Sequence, residues 1–183
     1  MEQKHQMWAA QFYKYREPRQ LLSSGGLGTM GYGLGAVLGA KTAFPERTVI
    51  NFAGDGGFRM NMNELLTAAE YHIPVIQIIF NNQALGMVRQ WQNLFYEERY
   101  SATTLPDHAE YAKVAEAMGI QSCCVNSLDE FEEAFKKALS IQITEPCLIE
   151  CRIDQDDKVW PMVAPGRPIR EVFSEEDHFC QNY

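Results

Sequence analysis

The 183-residue sequence has no apolar run that approaches the ~18 to 20 residues of a membrane-crossing helix. No signal-peptide pattern opens it, so a soluble cytoplasmic protein without a membrane partner is expected. Cations are in the minority, with 16 Lys and Arg against 24 Asp and Glu and a formal net charge of −8. A nucleic-acid partner, which needs a basic footprint, is therefore not expected. The five cysteines include no C-x-x-C pair, which argues against a zinc or redox motif. Their odd number fits a reducing compartment better than a disulfide scaffold. Internal repeats and low-complexity linkers are lacking too, and the length suits one domain with a sizeable core.

What is present alternates in period. After a polar and aromatic opening (residues 1–20), a glycine-dense stretch runs from Ser24 to Gly31, followed by an apolar helix expected over 32–44. Residues 48–53 read as a buried strand, β-branched and aromatic. The turn Gly54-Asp55-Gly56-Gly57 follows, then helical spacing over 61–71 and a second buried strand over 75–80 that ends at Asn81-Asn82. A helix is expected over about 108–118 with Gly119 as its terminator. A strand over 120–125 comes next, then a helix to about 140 with Ser127 and Glu130 as a capping box. Asp129-Glu130 and Glu132-Glu133 read as its solvated face. The last strand, 147–153, puts Cys147, Ile149 and Cys151 on one face for packing. A proline-rich tail, 161–168, lies beyond. Alternating helix and strand implies an α/β fold, three-layered, with a mostly parallel sheet between helices on both faces.

Asp55 follows one buried strand and Asn82 follows the next, with 26 residues between them. A strand–helix–strand unit with a right-handed crossover is parallel, so both residues fall on the same sheet edge, where ligands of such folds bind. A carboxylate and an amide carbonyl are hard oxygen donors. With a backbone carbonyl they suit magnesium bound to a diphosphate, and they do not suit zinc. Glycines beside Asp55 allow phosphate oxygens to come close, and the helix expected from Asn61 would add N-terminal N–H groups. Either turn alone is ordinary turn chemistry; the pairing at this spacing is the specific signal.

Gly54-Asp55-Gly56, the spacer and Asn81-Asn82 resemble the motif of thiamine diphosphate enzymes. The resemblance is closer than a superfamily motif: His5 to Gln11, Ser24 to Gly33, Gly86-Met87-Val88, Gln90-Trp91-Gln92 and Leu94-Phe95-Tyr96 are similar to the acetolactate synthases. It covers residues 5 to about 166. It implies that residues 1–183 form the thiamine diphosphate-binding domain, with magnesium on Asp55, Asn82 and the main-chain oxygen of Ala84. By the same resemblance, Met30 props the cofactor in its bent form, the Gly28 carbonyl accepts from the 4′-amino group, and His5, Gly54, Gly56, Gly57, Gly86 and Met87 line the diphosphate or pyrimidine. Trp91 would line the acceptor pocket. Composition alone gives Met30 and Trp91 a plain packing role as well.

The implied reaction decarboxylates pyruvate and passes the hydroxyethyl group to a second 2-keto acid, in branched-chain amino-acid biosynthesis. The family's pyrimidine and middle domains are expected to be absent from this chain. The family's catalytic glutamate lies on the pyrimidine domain of a partner subunit, so no catalytic residue is assigned here and the chain alone is expected to be inactive. FAD would contribute only in a complete enzyme, and a homo-oligomer or assembly with a pyrimidine-domain chain is expected. Departures stand at Lys4, where the family usually has glutamine, at Gly35, where a proline is common, and at Gly57, where serine is. Two other readings are a non-catalytic cofactor-binding fragment or split subunit, and an NAD-dependent oxidoreductase. The latter rests on Gly26, Gly28 and Gly31 matching G-x-G-x-x-G, needs a strand just before them, and leaves Asp55 and Asn82 unexplained.

Overall fold

Four short segments rich in β-branched and aliphatic residues form the centre of the chain. In the computed structural model, which describes residues 3–106, 109–141 and 144–180, they are β1 (Ile50–Gly54), β2 (Ile76–Asn81), β3 (Gln121–Val125) and β4 (Cys147–Arg152). They pair in the order β1-β2-β4-β3, every pair parallel. β2 and β4 are central and almost wholly buried, as strands covered on both faces must be.

Alternation sorts the side chains to two cores. Ile79 and Leu148 join Leu34, Leu38, Phe58, Leu65 and Tyr111 on one face. This is the face covered by α2 (Tyr32–Ala43), α3 (Asp55–Phe58), α4 (Glu64–Glu70) and α6 (Tyr111–Ala117). Ile76, Ile78, Cys147, Ile149 and Cys151 face the other way, against Phe131, Ala134 and Phe135 of α7 (Leu128–Ile141). The expected face of Cys147, Ile149 and Cys151 is thus a packing face. Burial raises the Cys147 and Cys151 thiols to about 11 and about 12. α1 (Gln3–Phe12) lies on this second face too, with the His5 ring stacked on Phe80 of β2, centroids 4.9 Å apart. The α/β, three-layer reading holds.

Differences are local. The opening segment and residues 86–95, read only as motif-bearing, form α1 and α5 (Gly86–Phe95). α6 begins at Tyr111; His108, where its start was expected, lies outside the described residues. Gly119, with φ of 81°, ends α6 as expected, its N–H donating to Glu116 O and that of Ile120 to Ala115 O. In the capping box, Ser127 Oγ accepts from Glu130 N at 3.2 Å, but the Glu130 carboxylate returns to the N–H of Asn126 rather than of Ser127. The tail past Pro161 forms a two-stranded antiparallel ribbon, β5 (Met162–Val163) with β6 (Val172–Phe173), followed by α8 (Glu175–Cys180).

Candidate metal and diphosphate site

β1 and β2 are adjacent, with Gly54 opposite Phe80, so Asp55 and Asn82 emerge side by side at the carboxyl edge. The Gly54-Asp55-Gly56-Gly57 segment is more than a turn: Asp55 opens the single helical turn α3. Its carboxylate is buried, and the nearby backbone N–H groups of Gly56, Asp55 itself and Gln83 favour its charged form. Burial nonetheless raises its pKa to about 6, the hydrogen bonds opposing that shift only in part. The helix expected from Asn61 starts later, at Glu64. The N–H groups beside the site therefore belong to α3, because Gly57, Phe58 and Asn61 spend their carbonyls on a run of tight turns before α4 begins.

Past β2 the chain reverses sharply. Gln83 takes a left-handed φ of 54°, a sparsely populated conformation for a non-glycine residue. It is held there by Asn81 Oδ1 on its N–H (3.2 Å) and by Leu105 N and Gln155 Nε2 on its carbonyl (2.8 and 3.2 Å). An antiparallel bridge from Ala84 to Thr104 continues the brace. The reversal points Ala84 O back toward the side chain of Asn82.

Asn82 Oδ1 then stands 3.3 Å from Asp55 Oδ1 and 3.0 Å from Ala84 O. In this orientation of the amide three oxygens from three buried residues face one another. Such a meeting is repulsive unless a proton or a cation lies among them. Turning the Asn82 amide over would let its NH2 donate to both oxygens, whereas the orientation described lets Ala84 N donate to Oδ1 at 3.3 Å. A divalent cation favours the second. Oxygens at adjacent corners of a magnesium octahedron lie about 2.9 Å apart, given bonds of ~2.0 to 2.1 Å. The donor set, one carboxylate and two neutral oxygens, leaves positions for phosphate oxygens and fits magnesium. Among the described residues no group of three or more His, Cys, Asp and Glu could hold a metal, so a zinc-type cluster does not compete there.

The other expected residues divide into three places. Gly54, Gly56, Gly57 and Gly86 are buried around the oxygen cluster. At Gly86, the first residue of α5, an added Cβ would stand 2.8 Å from Lys4 Cδ and 3.1 Å from Asn82 Nδ2, so any larger residue there displaces the Lys4 stem and crowds the Asn82 amide. His5 is buried beneath, and burial followed by the Lys4 charge holds its pKa near 3, leaving the ring neutral. Gly28, Met87 and Trp91 line a neighbouring cleft of about 1180 Å³ with Phe95, Met162 and Val163. Trp91 is half-buried, edge-on to Phe95 at 5.9 Å, and Phe95 in turn meets Phe173 of the tail ribbon. Met30 is half-buried and does not line the cleft.

Several residues outside the expected set also build the site. Glu150 is buried at mid-sheet, accepting from Asn81 Nδ2 (2.6 Å) and Ala112 N (3.0 Å); through Asn81 it holds the Gln83 reversal. Arg89 grips Asp156 with two hydrogen bonds, 2.7 and 3.1 Å, and lies 3.9 Å from the Tyr100 ring. Gln90 exchanges two hydrogen bonds with the Val159 backbone. Together they fasten α5 to the 154–160 loop, which covers the cluster. Lys4 is also buried, its pKa lowered to about 8 by loss of solvent against the pull of Asp157 and Asp156. The glycine segment is preceded by coil over 20–24, not a strand, which removes the structural context a dinucleotide-binding fingerprint requires.

Fold and site define the class: a parallel α/β domain with a buried cluster of oxygen donors at adjacent strand ends, of a kind that fits a divalent cation. Residues 4–151 match the family described as thiamine pyrophosphate enzyme, C-terminal TPP binding domain, and the chain belongs to that family. It is 48% identical over 168 residues to a probable acetolactate synthase large subunit of Methanocaldococcus jannaschii, covering 92% of this chain and 28% of that protein. It is 44% identical over 171 residues to acetolactate synthase isozyme 1 large subunit of Escherichia coli, covering 93% and 30%. A solved thiamine diphosphate-dependent 4-hydroxybenzoylformate decarboxylase of Rhodococcus jostii superposes with a TM-score of 0.65 at 34% identity, over 72% of this chain and 24% of that one. The chain thus spans less than a third of the length of these relatives. Among the described residues no helix is long and apolar enough to cross a membrane.

Proposed function

We propose that residues 1–183 form the cofactor domain of an acetolactate synthase-type enzyme. In this reading Asp55, the Asn82 amide oxygen and Ala84 O hold magnesium, and the metal anchors the diphosphate as a template. The observation that carries it is the buried convergence of the Asp55 carboxylate, the Asn82 amide and the Ala84 carbonyl, one amide atom standing 3.3 Å from Asp55 Oδ1 and 3.0 Å from Ala84 O. Gly54, Gly56, Gly57 and Gly86 give phosphate oxygens room; His5, a neutral ring, supports the pocket floor. Gly28 and Met87 would meet the pyrimidine side and Met30 would prop the cofactor. Trp91, on the cleft wall, would contact the acceptor 2-keto acid.

When bound, thiamine diphosphate supplies the electron sink for decarboxylation of pyruvate and transfer of the hydroxyethyl group to a second 2-keto acid. This chain's residues bind and orient the cofactor. The proton-transferring carboxylate of the family belongs to a pyrimidine domain, so turnover requires that domain beside residues 1–183, as does any role of FAD. The relatives' names, acetolactate synthase large subunit, support the reaction class and assembly with other subunits. A cytoplasmic setting suits the free thiols of Cys123, Cys124, Cys147 and Cys151.

Calorimetric titration with thiamine diphosphate, in magnesium and in EDTA, tests the proposal. Magnesium-dependent binding is expected for the 183-residue protein, with no conversion of pyruvate to acetolactate by the protein alone. Absence of binding in magnesium rejects the cofactor site; robust turnover alone rejects the need for a further domain.

A further inference from the structure

Lys4 is 2% exposed, among the most deeply enclosed large side chains of the described residues. A lysine so placed is costly unless something compensates its charge. Among the described residues it makes no hydrogen bond or ion pair; its ammonium lies 5.1 Å from the Trp8 ring centroid, and Asp157, Asp156 and Asp154 act on it only at longer range. Its stem crosses Gly86, where the position of an added Cβ is 2.8 Å from Cδ and 3.6 Å from Nζ. The ammonium therefore sits at the first turn of α5, a ten-residue helix with no side-chain cap. A helix N-terminus carries partial positive charge and free N–H groups, so it repels a cation and welcomes an anion. The Asn82 amide group approaches the same spot, 3.1 Å from that Cβ position, with Asp55 and Ala84 O on its other side.

A buried ammonium and an uncapped helix start thus converge beside a cation site, and an anion bridging all three satisfies each. We propose that Lys4 binds the diphosphate of the cofactor directly, as a second positive centre beside magnesium. This rests on the cofactor reading above and deepens it. It assigns to this chain a charged contact where the resembling family usually carries a neutral glutamine, and it makes part of the diphosphate affinity independent of the metal.

The test titrates thiamine diphosphate and, separately, inorganic diphosphate into wild type, Lys4→Gln, Lys4→Met and Lys4→Arg, in magnesium and in EDTA, with melting temperatures of the ligand-free proteins alongside. Loss of one charge-assisted phosphate contact predicts affinity about 10- to 100-fold lower for both ligands in Lys4→Gln and Lys4→Met. Lys4→Arg should stay within about threefold, since the charge is kept. The weak binding of wild type in EDTA should vanish in Lys4→Gln. Ligand-free Lys4→Gln should melt at or above wild type, because an unpaired buried cation is removed. Unchanged affinity in Lys4→Gln with a lowered melting temperature overturns the proposal in favour of a packing role. Weakened thiamine diphosphate binding with unchanged inorganic diphosphate binding overturns the diphosphate contact. Failure of wild type to bind either ligand in magnesium overturns the cofactor reading and this inference together.

Discussion

Two carboxylates lie equally deep in the sheet, each 1% exposed, and they are surrounded in opposite ways. Glu150, in the middle of β4, is met by donors: the Asn81 amide, the Ala112 N–H and, at 3.4 Å, Arg152 Nε. Asp55, at the end of β1, has backbone N–H groups nearby that favour its charge, but turns Oδ1 toward the Asn82 amide, which also meets Ala84 O. A carboxylate compensated by the protein is part of the framework. One that faces other acceptors is short of a positive partner and reads as a ligand. Burial alone does not separate the two; the chemistry of the neighbours does. The regions are linked as well, since Asn81 bonds Glu150 with its nitrogen and the Gln83 N–H with its oxygen, so the framework acid holds the loop that carries the ligand set.

The largest effect expected from breaking this contrast is at Asp55. Asp55→Ala should abolish magnesium-dependent binding of thiamine diphosphate, a loss above about 100-fold, measured by calorimetry. Asp55→Asn should do nearly the same while leaving the EDTA-treated protein as stable as wild type or more so, because a buried charge without a counter-ion is removed. Unfolding in urea checks this; a marked loss of metal-free stability would return Asp55 to the framework.

Glu150→Gln should behave in the reverse sense. It replaces an acceptor of several hydrogen bonds with a group that brings unwanted donors, at about 2 kcal/mol in urea unfolding. Its effect on cofactor affinity should be the smaller one and should come through the Gln83 reversal. A loss of magnesium-dependent binding as complete as in Asp55→Ala, with stability intact, would erase the distinction.

A smaller effect is expected where the two regions meet the helix. Gly86→Ala pushes a methyl group onto Lys4 and the Asn82 amide, and should weaken cofactor binding about tenfold at a stability cost of about 1 to 3 kcal/mol, the range for overpacking. Smallest of all, Ser127→Ala, at the start of α7 and away from both acids, should cost about 1 kcal/mol through loss of the cap and leave binding unchanged. It serves as the control that stability losses of this size do not by themselves reach the site.

The strands and the long amphipathic helices were legible because their signals are local: β-branched runs over 48–53 and 75–80, glycine after α6, serine before α7. The pairing of Asp55 with Asn82 was legible because a strand–helix–strand unit can place its two strand ends on only one edge. Residues 86–95 carry a clear helical period, but read only as motif-bearing; they form α5, fastened through Arg89 and Gln90 to a loop some 70 positions away. The 54–57 segment read as a turn, since four residues are too few to show helical period, and became α3.

Residue order alone determined that the sheet is parallel, that it is buried on both faces, and that a carboxylate and an amide share its carboxyl edge, because periodicity and crossover handedness are properties of the chain. Only the tertiary structure decided which buried acid is met by donors and which is not, where Ala84 O points, and that the Lys4 ammonium lies at the start of α5. Those depend on contacts between residues far apart in sequence, where direction and distance rather than residue type set the energy.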